Sequence, residues 1–128
     1  MNSNYRVSII IPTYNSQETI KECLTNICEE AKNFESDIIV VDDNSSDKTT
    51  EIVEKFESIK LIKLTKNLGV GNARNIGAQN ARHDTLCYVD SDLIISKNSI
   101  INLVKKLNEN KNIGSVSAIQ EVINLNTK

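Results

Sequence analysis

The chain has 128 residues, 39% hydrophobic and 25% charged, with four glycines and one proline. That length suits one domain able to bury roughly two-thirds of its unfolded surface, and the composition excludes collagen-like, Pro/Gly-rich and highly charged disordered chains. Fifteen Lys plus Arg against seventeen Asp plus Glu give a net charge of -2, so any anion must be caught by a local site and not by the protein's overall field.

The opening, Met1-Asn2-Ser3-Asn4-Tyr5-Arg6, has neither the basic stretch nor the apolar core of a signal peptide. No apolar run nears the ~18 residues of a membrane-spanning helix, so an intracellular, cytoplasmic chain is expected. Val7 to Ile11 is a largely β-branched run closed by Pro12, and its lack of alternation suits a strand buried on both faces. A helix follows. Asn15 and Glu18 have the N-cap and N3 spacing of a capping box, and Ile20, Cys23, Leu24, Ile27, Cys28 and Ala31 recur at three- and four-residue steps. Cys23, Cys28 and Cys87 fit neither a disulfide framework nor a zinc pattern. The first two lie on the apolar stripe, so buried reduced thiols are expected there.

Ile38 to Val41 reads as a second buried strand and Asp42 to Asp47 as a polar turn. Ile52, Val53 and Phe56 then mark the inner side of a helix beginning near Asp47. Ile59, Leu61, Ile62 and Leu64 give a third strand. The loop Thr65 to Val70 leads into a helix from about Gly71 to Ala81, whose Ala73, Gly77 and Ala78 allow close packing on a sheet. His83 is a loop residue before a fourth strand, Thr85 to Val89. Ile100, Leu103, Val104 and Leu107 have helical spacing, and Ile113 to Ile119 offers a fifth strand. The alternation predicts an α/β fold, doubly wound, with a mainly parallel sheet and helices on both faces.

Segments that follow parallel strands all emerge at the carboxyl edge, where open α/β sheets bind ligands. Four pieces converge there: Pro12-Thr13-Tyr14-Asn15, Asp42-Asp43-Asn44-Ser45, Lys66-Asn67-Leu68-Gly69 with Arg74 just beyond, and Asp90-Ser91-Asp92. Asp90 and Asp92 repel one another at a strand end unless a cation joins them. Mg2+ or Mn2+ takes one or two carboxylates together with phosphate oxygens and water, although such a triplet also serves as a plain turn. Asp43 is an acceptor-only group able to read a ring N–H or a ribose hydroxyl, or else belongs to a turn beside a helix cap. Pro12 fixes the chain as it leaves the sheet, and Thr13 offers a hydroxyl to a planar base. Arg74, early in its helix, favours a diphosphate or the facing acidic edge, or forms a surface ion pair.

Two other classes fit less well. Gly69 and Gly71 open like a dinucleotide fingerprint, but Arg74 stands at the third glycine position and the segment follows strand three, against a dinucleotide-dependent oxidoreductase. A phosphorelay receiver would want its acidic pair after strand one, where Pro12-Thr13 stands.

The ordered set V-S-I-I-I-P-T-Y-N, I-V-V-D-D-N-S-S-D, N-L-G-V-G-N-A-R-N-I-G and Y-V-D-S-D resembles the nucleotide-sugar-binding half of family-2 glycosyltransferases with the Rossmann-like GT-A fold, over residues 7 to about 119. The resemblance implies one nucleotide-sugar-binding domain over 1–128 and a nucleoside diphosphate sugar donor, UDP-sugar favoured, with Mn2+ or Mg2+ as cofactor. It further implies inverting transfer to a saccharide, lipid or protein acceptor, as in polysaccharide biosynthesis. Carried over residue by residue, Pro12 and Thr13 border the base, Asp43 accepts from the uracil ring, and Arg74 approaches the base or diphosphate. Asn15, Asn67 and Ser91 complete the donor site, Asp90 meets ribose or shares the metal, and Asp92 is the principal metal ligand. The catalytic base and acceptor elements are expected beyond Lys128, so no base is assigned, and a catalytically inactive nucleotide-sugar-binding module is the alternative. No nucleic acid is expected as a partner, and the family is compatible with peripheral association at the inner face of a membrane.

Overall fold

Four parallel strands in the order β3-β2-β1-β4 carry the structure, which is a computed structural model describing residues 4–118. The elements alternate along the chain: β1 (Arg6–Thr13), α1 (Ile20–Glu30), β2 (Glu35–Asp42), α2 (Thr49–Val53), β3 (Ile59–Lys63), α3 (Val70–Gln79), β4 (Thr85–Tyr88) and α4 (Ser99–Asn108). This is the expected α/β class.

β1 is buried from Val7 to Thr13 and β2 from Ile38 to Asp42, which is why neither shows apolar alternation. Alternate residues serve different cores. Val7, Ile9, Ile11, Ile38 and Val40 pack with Leu24 and Ile27 of α1, Val53 of α2 and Val104 of α4. Ile39 and Val41 belong to a smaller cluster with Ala73 of α3. Helices therefore cover both faces. α3 lies so close to β1 that a Cβ on Gly77 would come within 2.4 Å of Ile10 Cγ2, and only glycine fits there.

Chain order explains where a ligand could enter. The chain moves outward from β1 through β2 to β3, then crosses to place β4 on the other side of β1. Such a reversal leaves a crevice at the carboxyl ends of the two strands that flank it, here β1 and β4.

The structure corrects three expectations. Residues 113–118 form no strand, and Ile119 lies outside the described residues. Ile113 and Val116 are only half-buried and their neighbours are exposed, so the apolar positions there lack a sheet face to cover. The capping box does not form: α1 begins at Ile20 with no side-chain cap. Asn15 instead has φ 46, and its Oδ1 accepts from Ser46 N at 2.8 Å. Of the two α1 thiols only Cys23 is buried, and Cys28 is half-buried. All three cysteines are free.

Candidate functional site

At the carboxyl edge the loops enclose a cleft of about 550 Å3, lined by Pro12 and Thr13 at the end of β1 and Tyr14 to Ser16 beyond it, Asp43 after β2, Val70, Ala73 and Arg74 of α3, and Asp90 to Asp92 after β4, with Glu18 and Thr19 at its side. Its two flanks are made differently.

On the β1–β2 flank the acidic groups are bound to the chain itself. Asp43 N donates to Thr13 O at 2.9 Å, and the Asp43 carboxylate is buried. Its Oδ1 accepts from Leu68 N at 2.9 Å and its Oδ2 from Gly69 N at 2.8 Å. The entry to α3 is thereby fixed, at a Gly69 whose φ of 96 suits glycine. Asp42 accepts from Ser45 N at 2.9 Å and Ser45 Oγ at 2.5 Å. The loops after β1 and β2 are tied crosswise: Asn15 N donates to Ser45 Oγ, Ser16 N to Thr49 Oγ1, Gln17 N to Asp47 Oδ2 and Lys48 N to Gln17 Oε1. At Asp47 slight burial works against the charged form. Hydrogen bonds from the Thr49 hydroxyl and from backbone N–H groups of Thr49 and Gln17 outweigh it and hold this carboxyl below its ordinary value.

On the β4 flank the acidic groups face the cleft. Val89 N donates to Ile10 O at 3.0 Å, extending the sheet one residue past β4. Asp90 Oδ1 accepts from Arg74 Nη2 at 3.0 Å. Ser91 is buried, and its Oγ lies 2.8 Å from Ser16 Oγ, a hydroxyl pair that bridges the flanks. Asp92 is exposed. Beneath them Cys23 Sγ donates to Asp90 O at 3.6 Å. Burial, then the charges of Asp92 and Asp90, push this thiol up to about 12.

Thr13 Oγ1 and Arg74 Nε are buried without a hydrogen-bond partner, and both residues line the cleft. Buried polar groups are rarely left so unless something else satisfies them. Among the described residues no group of three or more His, Cys, Asp or Glu could hold a metal alone. Two carboxylates flanking Ser91 suit a hard divalent ion that completes its shell with phosphate and water oxygens.

Of the residues singled out by sequence, Pro12, Thr13, Asn15, Asp43, Arg74, Asp90, Ser91 and Asp92 all line this one cleft. Asn67 is exposed on the loop before α3 and is not among its lining residues. Sequence reasoning passed over Ser16 and Thr49. Clusters of Ser, Thr, Asn and Asp after the first two strands hinted at such loop bonding, but the pairing joins residues about thirty positions apart and is set by the fold. No described helix is long and apolar enough to cross a membrane.

Known proteins supply a frame for this geometry. The family model described as Glycosyl transferase family 2 matches residues 8–128. The chain is 30% identical over 111 residues to YfnE of Bacillus subtilis, named an uncharacterized glycosyltransferase, covering 84% of this chain and 28% of that protein. It is 36% identical over 100 residues to the poly(ribitol-phosphate) beta-N-acetylglucosaminyltransferase TarS of Staphylococcus aureus, covering 74% of this chain and 18% of TarS. A crystal structure of TarS 1-349 in complex with UDP matches with a TM-score of 0.71 at 32% identity, over 82% of this chain and 32% of that one. The mannosyltransferase PcManGT from Pyrobaculum calidifontis, in complex with GDP-Man and Mn2+, matches with a TM-score of 0.74 at 28% identity, over 83% of this chain and 34% of that one. This chain thus spans 18–28% of the length of the two curated relatives.

Proposed function

Since the chain belongs to glycosyl transferase family 2, we propose that its cleft is the donor site of a glycosyltransferase, taking a nucleoside diphosphate sugar, UDP-sugar by preference, with Mn2+ or Mg2+. The observation that carries this reading is the meeting, in one cleft, of the acceptor-only Asp43 with Arg74 and the Asp90-Ser91-Asp92 triplet. The UDP bound by TarS and the GDP-Man and Mn2+ bound by PcManGT support it.

Each Asp43 oxygen already accepts one backbone N–H and keeps a further lone pair for a donor such as the uracil ring N–H. Pro12 and Thr13 border the base, and the unpartnered Thr13 hydroxyl gains a partner when ligand arrives. Asn15, held by Ser45 and Ser46, shapes the same wall, while Asn67 stands at the loop that Asp43 fixes. The Arg74 guanidinium and the first turn of α3 favour the diphosphate. Asp92, joined by Asp90, would hold the cation, which when bound supplies Lewis-acid stabilisation of the charge growing on the departing diphosphate. Ser91 keeps the triplet against Ser16. Inverting transfer also requires a base to deprotonate the acceptor hydroxyl, and none of residues 4–118 is assigned to that step.

Calorimetric titration of UDP with and without Mn2+ tests the reading. Metal should tighten UDP binding to the wild type and leave Asp92→Ala unaffected. The same heat with and without Mn2+, or a metal effect that survives Asp92→Ala, would overturn it.

A further inference from the structure

Among the described residues the chain after Val89 makes no further sheet bond, yet this stretch must hold Asp90 and Asp92 in a defined place. The described hydrogen bonds of this stretch to itself are short turns, Leu93 N to Asp90 O and Ser99 N to Ser96 O. From outside, Ser16 meets Ser91 and Arg74 meets Asp90 at the cleft, and α1 holds the backbone. Cys23 Sγ donates to Asp90 O at 3.6 Å, Asn26 Oδ1 accepts from Ile95 N at 2.8 Å, and Glu30 Oε1 accepts from Asn98 N at 2.7 Å. Steps of three and four place the three donors and acceptors along one side of the helix. Their partners advance in the same order along 90–98.

Glu30 is the unusual member. It is 4% exposed, it sits on the buried side of α1, and its Oε2 has no partner. A carboxylate withdrawn from water is unfavourable unless hydrogen-bonded, so burial alone gives no reason for Glu at this position. Its visible work is to accept from Asn98, whose φ of 65 turns the chain into α4.

We propose that Asn26 and Glu30, with Cys23, are positioning residues for the acidic triplet: they fix the backbone on which Asp90 and Asp92 stand, so that both carboxylates meet a donor-bound cation in one arrangement. This rests on the donor-site reading above. None of the three touches the cleft, and their effect passes through the loop. The flank formed by Thr13 and Asp43 is held by bonds that do not involve them, so metal-dependent and metal-free binding should respond differently.

The test uses UDP with and without Mn2+ on the wild type, Glu30→Ala, Glu30→Gln and Asn26→Ala, with thermal melts of each. Asn26 is half-buried, so its variant keeps the test alive if Glu30→Ala fails to fold. Both alanine variants should weaken the Mn2+-dependent part of UDP affinity roughly tenfold, the lower range for groups that orient metal ligands, and leave the affinity for UDP alone unchanged. Glu30→Gln, which keeps an acceptor for Asn98 N, should restore most of the metal effect. Equal loss of metal-free and metal-dependent binding that tracks the melting temperature would overturn the proposal. So would an intact metal effect in both alanine variants. A wild type with no metal effect at all would instead overturn the donor-site reading, and this proposal with it.

Discussion

Asp43 and Asp90 face one cleft from opposite flanks, one buried against backbone N–H groups and the other half-exposed against a guanidinium. Around Asp43 the chain is closed on itself: Thr13, Asp42 and Asp43 are 3%, 2% and 4% exposed, and the Asp42 carboxylate accepts from its own loop while that of Asp43 accepts from the loop before α3. Around Asp90 it is open, with the Arg74 and Asp90 side chains 40% and 48% exposed. An exposed ion pair of this kind is worth only ~0–1 kcal/mol. The acidic groups of the first flank are thus bound into the fold, whereas the ion pair of the second adds little to it. Losses of stability should therefore differ across the cleft.

The largest effect is expected at Asp43. Asp43→Ala strands two backbone N–H groups at the entry to α3, and hydrogen bonds to a charged group contribute about 1.5–3 kcal/mol each. We expect urea denaturation to show a loss of about 3 kcal/mol or more, and Asn at the same position to recover part of it by keeping one acceptor. Asp90→Ala should cost no more than the ~1 kcal/mol of an exposed pair. Equal losses at the two positions would break the comparison.

That asymmetry was only half legible in the sequence. The strands could be read because Val7 to Ile11 and Ile38 to Val41 are buried on both faces, and burial of that kind leaves an unbroken β-branched run. The convergence of Pro12, Asp43, Arg74 and Asp90 followed from parallel topology alone. That Asp43 is committed to Leu68 N and Gly69 N could not be read, because a carboxylate after a strand looks the same whether it serves a ligand or a loop. Glu30 was hidden for the opposite reason: a charged residue beside an apolar stripe reads as solvent-facing, and only the arrival of Asn98 from another part of the chain gives it a buried partner. Residues 113–118 misled because apolar β-branched positions signal a strand only where a sheet offers an edge and a face.

A smaller effect should appear at Asp47, which ties the loops after β1 and β2. Its carboxyl is held below the ordinary value because hydrogen bonds from Thr49 and Gln17 outweigh slight burial. A group whose pKa falls on folding contributes stability that is present above the unfolded value and lost as pH drops through the folded one. Melting temperatures of the wild type and Asp47→Asn should therefore differ at neutral pH, with the wild type higher, and approach one another as the solution is acidified through and below the carboxylate range. A gap that stays constant with pH would mean that the ionised form of Asp47 does not hold the two loops together.

The smallest effect on stability is expected where the effect on metal-dependent binding is greatest. Asp92 is exposed, stands two positions from a second carboxylate, and fills no part of the core. Its removal takes away repulsion and no packing. Surface substitutions of that kind usually fall within about 0.5 kcal/mol, so denaturation of Asp92→Ala should superimpose on the wild type or lie slightly above it. A loss as large as that at Asp43 would mean that Asp92 holds its own loop and that the open flank is no more open than the closed one. An unchanged or raised stability beside a lost response to Mn2+ would show that the place of this residue after β4 is explained by what binds there and not by the fold.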